Sequence, residues 1–423
     1  MSGRGLERSY PTVVVLFGGR SAEHDVSIVS GSAIAAGLAE RELTVQQVLI
    51  DLSGQWWWLP ADHRRGDRPP AGYDEPAAVG ASGPFTLGTA LDRLAAAEPR
   101  PLVFIALHGP LGEDGTIQGA LESAGLGYTG SGVAASAIGM DKALFKRLIR
   151  GLGLPVVDWR EVRREAWLAD PVAILAELAA FAAFPDDVRL MVKPAGLGSS
   201  VGMAIAHDLD ERAPALDRAF RFDEVVVVER YVAGARDLEV AIVGNGATLE
   251  EYGPGEVISG REFYDYEAKY TPGLSQSSIE ATLAPGQRAL LRKFARDTYR
   301  AVGAADFARV DFLVAGQQIY ISEINTIPGF TPISLFPTMP SAGGYDFSAV
   351  CLRVVDLALE RMAHRLPSLL GPDDLPRNGT SPRVTAPAPA GEPRRPSGSP
   401  APGSEPGQAS EPGTAGDTRT RLG

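Results

Sequence analysis

The chain has 423 residues, 44% of them hydrophobic and 22% charged, with a formal net charge of −12. That length exceeds one ordinary domain and can bury a large core. The acidity argues against a general binder of nucleic acid or membrane surfaces, and a single cysteine, Cys351, excludes an internal disulfide framework or a cysteine metal site.

In chain order, the apolar run 13–17 is too short for a signal-peptide core and reads as a first buried strand. It enters the turn Gly18-Gly19-Arg20-Ser21-Ala22-Glu23-His24-Asp25, and the spacing then predicts a helix over 26–39. Strand, Gly-rich turn, helix is the opening of a parallel α/β unit. Further strands are expected over 44–52 and 102–107, separated by a Gly/Pro/Ala-rich excursion over 66–84. Helices are expected over 117–124 and 134–152. A new unit starts near Pro155, with a helix over 172–184 and a strand over 189–194 that runs into the turn Ala195-Gly196-Leu197-Gly198-Ser199-Ser200. Strands over 224–230 and 238–243, a loop over 263–270 and a helix over 287–302 follow, and a helix over 347–365 closes the folded part. Beyond Pro367 the composition turns to Pro, Gly, Ser, Ala and Thr without periodicity, too little apolar surface to offset ordering, and disorder is expected. No apolar run is long enough to span a bilayer, so a cytoplasmic location is expected.

The most informative stretch is 308–337. Alternation puts Arg309 and Asp311 on one face of one strand and Glu323 and Asn325 on one face of the next. Converging oxygen ligands of this kind suit Mg²⁺, which keeps several waters and takes the rest of its shell from phosphates. Arg309 beside them suits a phosphate or developing phosphoryl charge. Lys193, just before the Gly/Ser turn, is placed to reach a phosphate that backbone N–H groups of the turn would cradle. Residues 229–232, at the end of an apolar strand, could offer backbone groups to an adenine edge, and Asp237 could accept from ribose hydroxyls.

The strings LFGGRSAEHDVSIVSG, ALHGPLGEDGTIQGALE, YTGSGVAASAIGMDK, VKPAGLGSSVGM, FYDYEAKY, ARVDF and EINTIPGFTPISLFP occur in this order. In them the chain, from about Pro11 to Arg365, resembles the D-alanine–D-alanine ligases of the ATP-grasp superfamily. The resemblance implies an α/β fold of three units, with ATP held between the central and C-terminal sheets. Those units would be a parallel-sheet domain over 11–140, a central subdomain over 141–235 and a C-terminal subdomain with the metal site over 236–366, ahead of the tail 367–423. It implies ATP-dependent joining of two D-alanine molecules for the peptidoglycan precursor, through an acyl phosphate, in a homodimer. The rival readings are a D-alanine–D-lactate or D-serine ligase and a non-catalytic nucleotide-binding scaffold.

Carried over by motif position, Glu23 would hold the first substrate's ammonium and His108 would lie at its carboxylate. Lys142 and Lys193 would contact ATP phosphates and Lys269 the γ-phosphate, with Ser199 and Ser200 in the mobile Gly-rich loop at the nucleotide. Glu229, Tyr231, Val232, Asp237 and Phe263 would line the rest of the nucleotide. Ser199 would orient Tyr270 together with Glu23. Arg309 and the Gly329 N–H would stabilise the tetrahedral oxyanion. Asp311, Glu323 and Asn325 would bind two Mg²⁺ ions, with Mn²⁺ as an alternative, and Ser334 and Leu335 would receive the second substrate's carboxylate. Two departures stand out: Asp237 occupies a position where Glu is usual, and 336–340 lacks the common Lys-Leu-Trp.

Overall fold

The computed structural model describes residues 9–182, 188–259 and 275–364. The loop carrying Phe263, Lys269 and Tyr270, and the tail beyond 364, lie outside the described residues, as do the expectations attached to them. The described residues cluster as one compact unit.

The first sheet is built from β1 (Val13–Gly18), β2 (Val45–Ile50), β3 (Trp56–Trp58), β4 (Ser82–Phe85), β5 (Leu102–Ile105) and β6 (Gly127–Tyr128), in the order β4-β3-β2-β1-β5-β6. The four strands β2, β1, β5 and β6 are parallel, as the strand–turn–helix opening predicts, but β3 and β4 extend the sheet antiparallel. That extension was absent from the sequence reading, because β3 is only three residues long, all tryptophan. Helix α1 (His24–Glu40) packs on the sheet, and Ser27 ties the two together. Its hydroxyl accepts from Gly18 N–H at 2.8 Å and donates to the Ala106 carbonyl at 2.7 Å, fixing the α1 start at the strand ends. At Gly18, with φ +89°, an added Cβ would stand 2.3 Å from the Ile50 carbonyl oxygen, so no side chain fits there. Helices α2 (Leu87–Ala95) and α3 (Thr116–Ser123) complete this part.

The stretch 134–152, expected as one helix, is two: α4 (Val133–Met140) and α5 (Lys142–Gly151). Asp141 causes the break, since its extended backbone and its carboxylate cap α5 by accepting from Ala143 and Leu144 N–H, each at 2.9 Å. Lys142 thereby sits in the first turn of a new helix rather than midway along an old one.

A four-stranded antiparallel sheet follows, in the order β7-β10-β8-β9: β7 (Trp159–Arg163), β8 (Leu190–Pro194), β9 (Ala204–Ala206) and β10 (Val225–Arg230). Its apolar residues Val162, Val192, Val226 and Val228 bury against the helices Pro171–Ala182 and Arg212–Ala219. The third sheet is antiparallel, ordered β13-β12-β11-β14-β15: β11 (Arg236–Asn245), β12 (Thr248–Ser259), β13 (Ser275–Ser278), β14 (Phe307–Ala315) and β15 (Gln318–Asn325).

Alternation along β14 is strict. Val310, Phe312 and Val314 are buried against the helix Gln287–Val302, and Arg309, Asp311 and Leu313 face the other way. On β15 the phase slips once. Asp311 pairs with Glu323 but Phe312 pairs with Ile321, so Ser322 is an extra, bulged residue. Ile319 and Ile321 before the bulge and Ile324 after it all reach the core, and the shift sets Glu323 and Asn325 opposite Asp311 and Arg309. Each fully buried Phe or Ile here contributes about 1.5–3 kcal/mol, so register on this strand is firmly held. The opposite face of this sheet joins the first: Phe104, Phe307, Phe330 and Phe336 share one core with the closing helix Phe347–His364. Among the described residues no helix is long and apolar enough to cross a membrane.

Candidate active site

Two confluent cavities occupy the space bounded by the three sheets. The first is a cleft between the second and third sheets, walled by β8, the 197–200 turn, 229–232 and the polar face of β11, β14 and β15. The second, of about 750 Å³, opens between the α1 start, the 108–113 turn and residues 327–335. They share Ser199, Glu239, Arg309 and Glu323.

Arg309 is the fixed point. Its Nε and Nη2 donate to the two oxygens of Asp311, each at 2.7 Å, and its Nε lies 3.2 Å from Glu239. Burial opposes its charge, but Asp311 and Glu239 outweigh that and push its pKa well up, so it is always cationic. Glu239 faces Asp311 directly across β11 and β14. It escaped the sequence reading, although its position two residues after Asp237 puts both acids on one strand face. Asn325 donates its amide to Asp311 at 2.9 Å, and Glu323 lies 3.6 Å from Lys142. Two carboxylates and a carboxamide on adjacent strands are a hard-oxygen set of the kind that suits Mg²⁺.

At the far end of the cleft, Glu229 is buried, with Lys146 at 2.7 Å on one oxygen and Lys193 at 2.8 Å on the other. Burial alone would raise its pKa, yet the two ammoniums hold it down at about 2. It is a buried anion rather than the solvated strand-end acid its sequence position suggests. Tyr231 and Val232 line the cleft beside it, although the Tyr231 N–H is taken by the Arg189 carbonyl at 3.1 Å. Asp237 lines the same wall, close enough to Lys193 to help raise that lysine's pKa. Lys142 donates to the Leu197 carbonyl at 2.6 Å, so α5 and the Gly/Ser turn are held together.

That turn carries Ser199 and Ser200 at φ +49° and +58°, a left-handed backbone that non-glycine residues adopt at a cost of order 1 kcal/mol each. The strain aims the Ser199 hydroxyl at Glu23, to which it donates a hydrogen bond. Glu23 stands at the N-cap of α1, and Gly109 passes so near that a Cβ there would lie 2.6 Å from a Glu23 carboxylate oxygen. His108 is buried behind it. Its Nδ1 faces the Ile327 carbonyl at 3.2 Å and Glu113 at 3.3 Å, two acceptors that place a proton on Nδ1, and its Nε2 meets Ser30 Oγ at 2.9 Å. Glu113 was not anticipated, and neither was Lys146. Burial pushes Glu113 up to about 7, His108 opposing and the Glu23 charge adding to the rise.

Across the second cavity, Ser334 stands at the N-cap position of the short helix Leu335–Thr338 and its Oγ pairs with Thr331 Oγ1 at 2.7 Å. Gly329 lies beside it, since a Cβ there would meet Ser334 Oγ at 3.4 Å. Gly329, Ser334 and Leu335 share the cavity with Glu23, His108 and Arg309. All the expected site residues within the described part therefore line one or other cavity. Lys269, Tyr270 and Phe263 lie outside it.

Residues 12–131 match the family model described as D-ala D-ala ligase N-terminus, and residues 148–356 match D-ala D-ala ligase C-terminus. The chain is 37% identical over 367 residues to a D-alanine–D-alanine ligase of Chlorobaculum tepidum, covering 84% of this chain and 98% of that one. It is 38% identical over 351 residues to the enzyme of the same name from Deinococcus radiodurans, covering 82% and 98%. Among solved structures it is similar to the D-alanine-D-alanine ligase from Coxiella burnetii, with TM-score 0.67, 29% identity and coverage of 84% and 95%. It is also similar to the VanG D-Ala:D-Ser ligase from Enterococcus faecalis, with TM-score 0.71, 27% identity and coverage of 83% and 100%.

Proposed function

The chain belongs to the D-alanine–D-alanine ligase family, and from that premise we propose that it joins two D-alanine molecules with hydrolysis of ATP to ADP and phosphate, supplying the dipeptide for peptidoglycan. The observation that carries the reading is the confluence of a cleft ending in buried lysines with a polar cavity holding Glu23, at the common wall formed by Arg309.

ATP fits the cleft with its phosphates toward Lys142, Lys193 and the 197–200 turn and its base and ribose toward 229–232 and Asp237. Asp311, Glu323 and Asn325 would hold Mg²⁺, as two ions, whose charge offsets that of the β- and γ-phosphates. The first D-alanine sets its ammonium against Glu23 and its carboxylate on the His108 side, facing the cleft. A carboxylate oxygen attacks the γ-phosphorus, the bond to the β-phosphate oxygen breaks, ADP departs and an acyl phosphate forms. The second D-alanine, held by Ser334 and the Leu335 backbone, attacks the carbonyl carbon with its amine. The new C–N bond forms as the amine gives a proton that ends on the departing phosphate, and the oxyanion is held by the Arg309 guanidinium and the Gly329 N–H. Collapse breaks the C–O bond to phosphate, which leaves.

Roles for Lys269 at the γ-phosphate, Phe263 at the nucleotide and Tyr270 beside Ser199 rest on the sequence motif. Unit boundaries near 140 and 235 are supported by the change of sheet on either side. A homodimer belongs to the same reading, and light scattering of the purified chain tests it.

D-alanine as second substrate is favoured over D-lactate by the Tyr270 motif, and over D-serine by the names carried by relatives near 37% identity. The test is phosphate release from Mg-ATP with D-alanine alone, or with added D-lactate or D-serine, the products identified by mass. D-alanyl-D-alanine is the expected main product in every mixture. A depsipeptide or a mixed D-alanyl-D-serine as main product would overturn the assignment of the second substrate.

A further inference from the structure

Lys146 has no part in the reaction described above, yet it is among the most deeply enclosed charges in the protein, its side chain 1% exposed. It lies one turn after Lys142 on α5, so both project from one face of that helix. Lys142 reaches the cleft, whereas Lys146 lies behind it, against Glu229, the Val157 carbonyl at 3.5 Å and the Trp159 ring at 5.7 Å.

Glu229 therefore holds two buried ammoniums, one on each oxygen, and the trio carries one net positive charge. An unbalanced charge at this depth is strongly unfavourable unless another charge answers it. Arg150 adds positive charge on the Lys146 side, while Glu323 and Asp237 face Lys193 from the cleft walls. Burial pulls the Lys146 pKa below the ordinary lysine value despite Glu229. Lys193, also opposed by burial, is raised by Glu229 and the cleft acids.

We propose that Lys146 is a positioning residue for the nucleotide: it keeps Glu229 permanently paired, which leaves Lys193 free to turn from Glu229 to an incoming phosphate. With Lys146 neutral, Glu229 and Lys193 become a closed one-to-one pair, and moving Lys193 to a phosphate strands a buried carboxylate. The inference rests on the nucleotide reading of the cleft and specifies how its charge is arranged.

The test compares Mg-ATP affinity by calorimetry, KM for ATP and kcat for wild type, Lys146→Met, Lys146→Arg and the double variant Lys146→Met/Glu229→Gln. Lys146→Met should raise the dissociation constant and KM for ATP at least tenfold, with a much smaller change in kcat at saturation. Lys146→Arg should restore most of the affinity. The double variant should bind more tightly than Lys146→Met alone, because a carboxamide at position 229 keeps an acceptor oxygen but no longer holds Lys193 by charge. A purely structural Lys146 would leave the double variant at least as weak as the single one, and that result would overturn the proposal. So would wild-type affinity in Lys146→Met. Should Lys146→Met fail to fold, Lys146→Gln alone and with Glu229→Gln makes the same comparison. A wild-type chain that binds no nucleotide would overturn the ATP reading as well as this one.

Discussion

Arg309 and Asp311 lie two residues apart on β14 and are joined by a pair of 2.7 Å hydrogen bonds, Nε to Oδ1 and Nη2 to Oδ2. The pairing is a consequence of strand alternation, which gives both side chains the same face, and it fixes the guanidinium plane before any substrate arrives. A donor oriented in advance costs no reorganisation when charge develops on the reacting carbonyl. Arg309→Ala should therefore lower kcat/KM by an amount equivalent to roughly 2.7–4 kcal/mol of transition-state stabilisation, as for loss of one oxyanion donor. Arg309→Lys should recover little, since an ammonium cannot make the paired contact. Steady-state kinetics decide, and turnover within a few-fold of wild type in the Ala variant would remove Arg309 from the mechanism.

The Ser199 hydroxyl donates to the Glu23 carboxylate from a turn held at φ +49°. A hydrogen bond to a charged group is worth about 1.5–3 kcal/mol. Ser199→Ala keeps the same backbone penalty, so it isolates the hydroxyl. With Glu23 no longer aimed, kcat/KM for the first D-alanine should fall roughly tenfold to a hundredfold, while affinity for nucleotide alone should change far less. An equal loss in both would mean that Ser199 shapes the whole turn instead.

Much of this was legible in the sequence, and the failures have physical causes. The helix Gln287–Val302 and the shared face of Arg309 and Asp311 follow from periodicity alone. The bulge at Ser322 does not, because the residues on either side of it are equally compatible with an unbroken strand. Asp141 divides α4 from α5 although the apolar pattern continues across it, since a cap is a matter of one residue's backbone and not of period. Lys146 reads as a solvated helix charge until Glu229, far along the chain, is brought against it. Glu113 is similar: its unusual environment depends on His108, Glu23 and the 327–335 segment meeting, and no local spacing signals that.

The same His108–Glu113 pair makes stability depend on pH. Glu113 is raised from 4.5 to about 7, by burial first and by the Glu23 charge as well, against the opposing His108 contact. His108 is also raised: burial opposes its charge, but Glu113 and Glu23 prevail. In both cases the folded chain holds the proton more tightly than the unfolded chain, so stability falls as pH rises, from about 4.5 to 7 for Glu113 and from 6.5 through its raised value for His108. The Glu113 side chain is 14% exposed, so solvent screens part of the effect. The expected contribution is roughly 2 kcal/mol lost across that window. Urea titrations at pH 5 and pH 8 should show a smaller decline for Glu113→Gln than for wild type. Parallel declines would return Glu113 to the ordinary carboxyl range.

Asp306 joins parts of the chain far apart in sequence. Fully buried just before β14, it receives Arg361 of the closing helix at 3.0 and 2.9 Å, the Gly130 N–H at 2.8 Å and the Asn245 amide at 2.9 Å. Arg361 in turn donates to the Tyr128 carbonyl at 2.7 Å, so the end of the first sheet, the third sheet and the last helix meet at one carboxylate. Removing one member of a buried pair leaves the other charge uncompensated, at a cost of about 3–5 kcal/mol. Arg361 keeps 23% exposure and can draw on water, which favours the lower end for Asp306→Ala. Arg361→Ala should cost more, since it leaves the fully buried Asp306 carboxylate with only two neutral donors. The cycle of both single variants and the double, measured by chemical denaturation, should show a coupling of at least about 1 kcal/mol, as residues in direct contact do. Strict additivity would mean that the two residues act separately, and that the sheets are held by the aromatic core around Phe307 alone.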